Sequence, residues 1–212
     1  MVKYLNDVIR ILKKTDNKSM LSELSKNDPY YILISTILSQ RNKDKNTIEA
    51  TKNLFRKYKN INEIVNAPLS DVKKLIKKSG FFNVKSKRIK EVSKILLDNY
   101  NGKVPSNIDE LIELPGVGRK TANCVLVYAY KKSCIPVDVH VNRLSNRLGL
   151  VKTRTPEQTE IELMKIVPKK YWIDINELFV LHGQNVCKPI NPFCDECKIN
   201  KYCKMVGIKR SR

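Results

Sequence analysis

The sequence predicts an all-α protein, on three observations. Apolar residues recur at helical spacing almost throughout, alternating strand-like runs are scarce, and turn punctuation falls between the helical stretches. Within the first twenty residues Asp7, Arg10, Lys13 and Lys14 interrupt the apolar positions, which gives an amphipathic helix and not the unbroken apolar core of a secretion signal. Asp28-Pro29 supplies a capping side chain and a first-turn proline for a helix through about Ser39. Ser70 opens a helix that Gly80 closes, and Val84 to Tyr100 forms another, ended near Gly102. Ser106 with Asp109 resembles a capping box for a helix reaching Leu114, and an apolar helix follows to about Tyr130. Thr155-Pro156 repeats the cap-and-proline signature before Glu157 to Val167.

The 212 residues are 42% hydrophobic, enough for a core without covalent staples. Lys and Arg number 41 against 21 Asp and Glu, a net charge of +20 that makes a polyanion the expected partner. A lysine-rich genome or heat adaptation also produces such an excess, so charge favours nucleic acid without identifying it. Between Lys73 and Lys94 stand nine cationic side chains and a single acid, Glu91, and these read either as a phosphate-facing surface or as a solvated lysine face. The longest apolar runs, such as Cys124 through Tyr130, fall far short of the roughly 18 to 20 residues a membrane span needs, and with an amphipathic N-terminus unlike a secretion signal the cytoplasm is the expected location. No internal repeat or low-complexity tether divides the chain. Four of the six cysteines crowd between Cys187 and Cys203, which in a reducing compartment reads as a metal site before disulfides.

The most informative segment is Leu114-Pro115-Gly116-Val117-Gly118-Arg119-Lys120-Thr121-Ala122, which reads as helix, tight glycine hairpin, helix. Glycines let the backbone take positive φ and come close to a ligand, and the new helix presents unpaired N–H groups and its positive dipole end, where a DNA phosphate fits. Gly116, Val117, Gly118 and Arg119 are the DNA-binding candidates there. On the residues alone, the hairpin could simply turn the chain and Lys120 could be one more exposed or phosphate-contacting lysine.

The complete string resembles the helix-hairpin-helix motif of the endonuclease III family of DNA glycosylases, with lysine at that family's catalytic position. The resemblance makes Lys120 the nucleophile, and the first turn of a helix suits that role because the dipole disfavours an ammonium. Eighteen residues on, Pro136-Val137-Asp138-Val139-His140-Val141-Asn142-Arg143-Leu144 resembles the family's V-D-x-H-x-x-R segment, whose aspartate is catalytic. Asp138 would accept the amine's proton and stabilise positive charge at the sugar C1′, while its position before an amphipathic stretch also makes it a good N-cap. His140 and His182 read as structural. The implied activity is a glycosylase coupled to an abasic-site lyase, acting on double-stranded DNA that carries a damaged base, with oxidised pyrimidines the family expectation, or an abasic site. Alternatives are a glycosylase that uses water and a non-catalytic helix-hairpin-helix DNA-binding protein. Related adenine-mismatch enzymes lack this lysine and carry a glutamate where this chain has Thr36, so adenine removal is disfavoured.

Leu38-Ser39-Gln40-Arg41-Asn42-Lys43-Asp44 resembles the family's L-S-x-Q-x-x-D segment, in which glutamine fills the space left by the extruded base. Arg41 stands where that glutamine is expected, and either Gln40 or Arg41 could enter the stack; Asp44 completes the segment. Phe81, after Gly80, matches an apolar residue that wedges into the opposite strand, although Phe81 and Phe82 also read as core aromatics.

Cys187, Cys194, Cys197 and Cys203 have the spacing C-x6-C-x2-C-x5-C. Four thiolates in one loop bind metal, and zinc sites more often pair two close cysteine hooks where this chain has one. The spacing matches the iron–sulfur loop of the endonuclease III family, which implies a 4Fe-4S cluster in preference to zinc. Cys124 and Cys134 read as core residues. The resemblance, from about Tyr30 to Cys203, implies a helical barrel domain over 21–132 with the hairpin motif at about 106–131. It implies a second helical domain from 1–20 plus 133–212 ending in the cluster loop over 187–203, a monomer, and DNA in a cleft where Lys120 and Asp138 face each other.

Overall fold

The computed structural model describes residues 4–14 and 28–212. In chain order its helices are α1 (Leu5–Leu12), α2 (Pro29–Ser39), α3 (Asp44–Lys57), α4 (Ile61–Asn66), α5 (Leu69–Leu75), α6 (Phe82–Tyr100), α7 (Ile108–Ile112), α8 (Arg119–Tyr130), α9 (Val139–Arg147), α10 (Pro156–Ile166) and α11 (Trp172–Asn185), with single 3-10 turns at Lys169–Tyr171 and Asn200–Tyr202. No strand occurs among the described residues, and no helix there is long and apolar enough to cross a membrane. The chain falls into two compact units, Met20–Lys132 and Met1–Ser19 together with Ser133–Arg212. The domain start expected at Leu21 lies outside the described residues.

In the unit Met20–Lys132, α2 is apolar on every side and packs against α8, α3 and α6, as a helix buried all round must. Two of its buried hydroxyls are satisfied within the helix: Ser35 donates to the Tyr31 carbonyl and Thr36 to the Ile32 carbonyl. Asp28 caps the helix by accepting from the Tyr30 and Tyr31 amides at 2.9 and 3.1 Å, beside the predicted first-turn proline.

Three boundaries differ from expectation. The helix predicted to run from Ser70 to Gly80 spans only Leu69–Leu75, because Ser79 and Gly80 turn inward against the end of α2. Helix α6 starts two residues before Val84, at Phe82, and ends through Asn101 and Gly102, both at positive φ. The cap of α7 is Asn107, which accepts from the Glu110 amide, so the capping pair lies one residue later than Ser106 and Asp109.

In the other unit, Leu5, Ile9, Val141, Leu144, Ile175 and Phe179 belong to one core shared by α1, α9 and α11. Helix α10 carries the full capping box, with Thr155 and Gln158 serving each other's backbone. Cys124 is fully buried as expected, whereas Cys134, in the extended segment before α9, is only half-buried.

Candidate active site

Gly116 adopts φ +75, and the Val117 amide closes the hairpin on the Leu114 carbonyl at 2.9 Å. A side chain at Gly116 would be strained by that φ and would stand 2.7 Å from Arg88 Cδ, so Arg88 of α6 lies across the turn. Gly118 opens α8 as its N-cap without a side-chain cap bond, and a Cβ there would meet nothing within 4 Å. The backbone is therefore approachable from outside at the start of α8, as anion binding there requires. Val117 is 3% exposed, so its side chain belongs to the core and only the turn it helps form is open to a ligand. Arg119 is exposed, and Lys120 is half-buried as the second residue of α8.

The two candidates for the vacated stack separate cleanly. Gln40 turns its amide inward, donating to the Gly116 carbonyl at 2.8 Å and to Thr121 Oγ1 at 3.2 Å, and so ties the end of α2 to the hairpin. Arg41 is exposed, at φ +48. Phe81 is 60% exposed at φ +60, not a core aromatic, and its ring centre lies 5.9 Å from the Arg41 guanidinium. Asp44 is exposed in the first turn of α3, where its charge complements the helix dipole.

The cations between Lys73 and Lys94 are not one uniform surface. Lys78 pairs with Glu49, Lys90 donates to the Val65 and Ala67 carbonyls at the end of α4, and Lys85 is 3% exposed. Lys85 Nζ donates to the Leu38 and Gln40 carbonyls and to Ser79 Oγ, at 2.8, 2.7 and 2.9 Å. Burial, with Arg88 nearby, pushes its pKa down to about 8. Sequence reading could not separate these roles, because a buried lysine with three acceptors and a solvated lysine have the same local pattern.

In the other unit Asp138 is half-buried and caps α9, its Oδ1 accepting from the His140 and Val141 amides at 2.8 and 2.9 Å while Oδ2 stays outside the cap. His140 Nδ1 lies 3.1 Å from Arg143 Nη2. Two arginines on the same helix hold the cysteine loop. Arg143 donates to the Gly183 and Cys187 carbonyls, and Arg147, 7% exposed, donates to the Lys188 and Pro189 carbonyls at 2.6 and 2.8 Å and to Cys187 Sγ at 3.3 Å. Their spacing of four residues on one helix face was the available signal, and it was missed because arginines in a basic chain read as solvent-facing.

Cys187, Cys194, Cys197 and Cys203 line one cavity with Leu144, Leu148 and Ile199, and none of the four is in a disulfide. The Met205 amide points at Cys203 Sγ at 3.4 Å, and His182 Nε2, buried, lies 3.4 Å from Cys197 Sγ. Burial pushes the Cys197 thiol up to about 11 and the neighbouring sulfurs push it the same way. Among the described residues no three His, Cys, Asp or Glu side chains converge as ligands of a single ion.

A glycine hairpin opening a helix with an approachable N-terminus, inside an all-α unit, is a helix-hairpin-helix, and residues 34–169 match the HhH-GPD superfamily of base excision DNA repair proteins. Endonuclease III of Thermotoga maritima is 50% identical over 177 residues, 84% of this chain and 83% of its own length. Endonuclease III of Rickettsia conorii is 40% identical over 199 residues, 94% of each chain. A solved trapped endonuclease III–DNA covalent intermediate is similar with a TM-score of 0.87 at 33% identity, covering 96% of this chain and 94% of that one. A thermostable thymine-DNA glycosylase is similar with a TM-score of 0.83 at 28% identity, covering 96% and 95%. The chain belongs to the endonuclease III family.

Arg147→Met keeps the stem but leaves two carbonyls without their charged donor. With charge-assisted hydrogen bonds contributing about 1.5–3 kcal/mol each, the substitution is expected to lower unfolding stability by about 3 kcal/mol, read from the denaturant midpoint. An unchanged midpoint contradicts the strapping role given to Arg147.

Proposed function

We propose that this member of the endonuclease III family excises damaged pyrimidines, oxidised ones foremost, and cleaves 3′ to the resulting abasic site through an imine on Lys120. The observation that carries the reading is Lys120 itself, half-buried in the first turn behind an open glycine hairpin, in a chain 50% identical to an endonuclease III. Phosphate binds at the hairpin and the start of α8, Phe81 enters the strand opposite the lesion, and the exposed Arg41 fills the gap left by the extruded nucleotide. The geometry of Gln40 supports giving that place to Arg41, since Gln40 is engaged at the hairpin.

The Lys120 amine attacks C1′, a C–N bond forms, and the bond to the base breaks as the base departs with the proton that the amine gives up through Asp138. Asp138 takes the amine's proton and stabilises the cationic sugar through its carboxylate. The C1′–O4′ bond then breaks, O4′ taking a proton from water, and leaves a protonated imine whose positive nitrogen acidifies C2′–H. Loss of that proton expels the 3′ phosphate by β-elimination.

The cysteine loop fits an iron–sulfur cluster, held by Cys187, Cys194, Cys197 and Cys203. Four cysteines that line one cavity but supply a single close hook, Cys194 and Cys197, suit a polynuclear group better than a zinc ion, whose four thiolates close to about 2.3 Å of one point. Such a cluster would fasten the loop covalently; the chemistry on DNA needs only the side chains described above.

Borohydride reduction during incubation with duplex carrying an oxidised pyrimidine is expected to give a covalent protein–DNA adduct that Lys120→Gln loses, with turnover down by at least about 100-fold, the scale expected when a nucleophile is removed. Base release without an adduct would instead identify a water-using glycosylase, and absence of both a DNA-binding protein alone. For the loop, the protein as purified is expected to be brown with broad visible absorbance and about four irons per chain. Stoichiometric zinc in a colourless protein would contradict the cluster.

A further inference from the structure

Two exposed side chains in the unit Met20–Lys132, Arg41 and Phe81, sit on different turns yet share an unusual backbone state. Both are non-glycine residues at positive φ, a conformation costing about 1–3 kcal/mol each that persists only where the surroundings enforce it. The enforcement is visible beneath them. All three Nζ protons of Lys85 are engaged, two by the carbonyls of Leu38 and Gln40 just before Arg41, and one by the hydroxyl of Ser79 two residues before Phe81. Ser79 Oγ lies 3.0 Å from the Leu38 carbonyl, and a Cβ on Gly80 would stand 3.2 Å from the Arg41 carbonyl, so the two turns are pressed together. Gln40, whose carbonyl Lys85 holds, sends its amide on to Gly116 and Thr121. An unbroken line of contacts thus runs from Phe81 to the residue beside Lys120.

A buried ammonium is a costly way to join two turns when an apolar side chain could pack there. It does what apolar packing cannot, fixing two backbones in register through directional bonds. We propose that Lys85 is a positioning residue that holds Arg41 and Phe81 as one preformed wedge and, through Gln40, fixes that wedge against the hairpin, so that duplex opening delivers the extruded nucleotide to Lys120. The inference rests on the roles assigned above to Arg41, Phe81 and Lys120. Preorganisation is its physical basis: a wedge already shaped needs no ordering when it enters the stack, and misplacement by about 1 Å can lower a rate on the order of 100-fold.

The test uses Lys85→Met in the full-length protein, with 2-aminopurine placed opposite the lesion to report unstacking. With a paired oxidised pyrimidine, single-turnover base release is expected to fall about 10- to 100-fold, and the aminopurine rise to slow equally. Cleavage of a preformed abasic site, where no stacked base must be extruded, is expected to stay within about threefold. Equal losses on both substrates, or unstacking at the wild-type rate, overturn the proposal, because a merely structural lysine gives one of those results. Should Lys85→Met not fold, Ser79→Ala withdraws one acceptor and is expected to give the same split at about threefold; no split overturns the proposal there too. Phe81→Ala separates the levels of failure. If it unstacks DNA normally, the wedge assignment itself has failed, whereas if it is defective while Lys85→Met is normal, only the role of Lys85 has failed.

Discussion

The turn from Leu114 to Gly118 is the constraint around which this face of the unit Met20–Lys132 is arranged. It must reverse the chain in a few residues, leave its backbone approachable, and still satisfy the polar groups it does not offer to a ligand. Gly116 supplies the positive φ, Val117 anchors the turn in the core, and the Gly116 carbonyl, turned back toward the protein, takes the Gln40 amide. That last bond brings the end of α2 to the hairpin. Once α2 is fixed there, the position of Arg41 follows, and Lys85 extends the same constraint to Phe81.

Charge performs two separate tasks in this chain. Part of the excess of 20 positive charges faces outward, as a polyanion partner requires. Another part is internal, where long cationic side chains replace water at backbone carbonyls that helix ends leave unpaired. Lys90 does this at the end of α4, Lys85 at the end of α2, and Arg143 and Arg147 at the end of α11 and in the cysteine loop. Lysine and arginine suit the task because a charged donor holds a carbonyl more firmly than a neutral one. The same loop carries Cys187, so Arg147 supports both the backbone and one sulfur.

Much of this was legible in the sequence. The all-α class, the caps at Asp28, Asp138 and Thr155, and the hairpin helix from Arg119 to Tyr130 follow from local chemistry, since a cap, a proline and a glycine act within one turn of their own position. The end of α5 was not legible. Ser70 to Gly80 has a helical pattern, and it is broken by contacts of Ser79 and Gly80 with residues about forty positions earlier. That Gln40 turns inward while Arg41 stays exposed was likewise not legible locally, because it depends on a carbonyl 76 residues away. The buried cations were invisible for the same reason: what distinguishes Lys85 from Lys87 is a set of distant acceptors.

The central claim is that one particular amine forms the bond to the sugar. Protease digestion of the reduced protein–DNA complex, followed by mass spectrometry of the peptides bearing a sugar remnant, locates that bond directly. The account predicts the remnant on the peptide containing Lys120 and on no other; a remnant on a different lysine, or on the N-terminal amine, would contradict it.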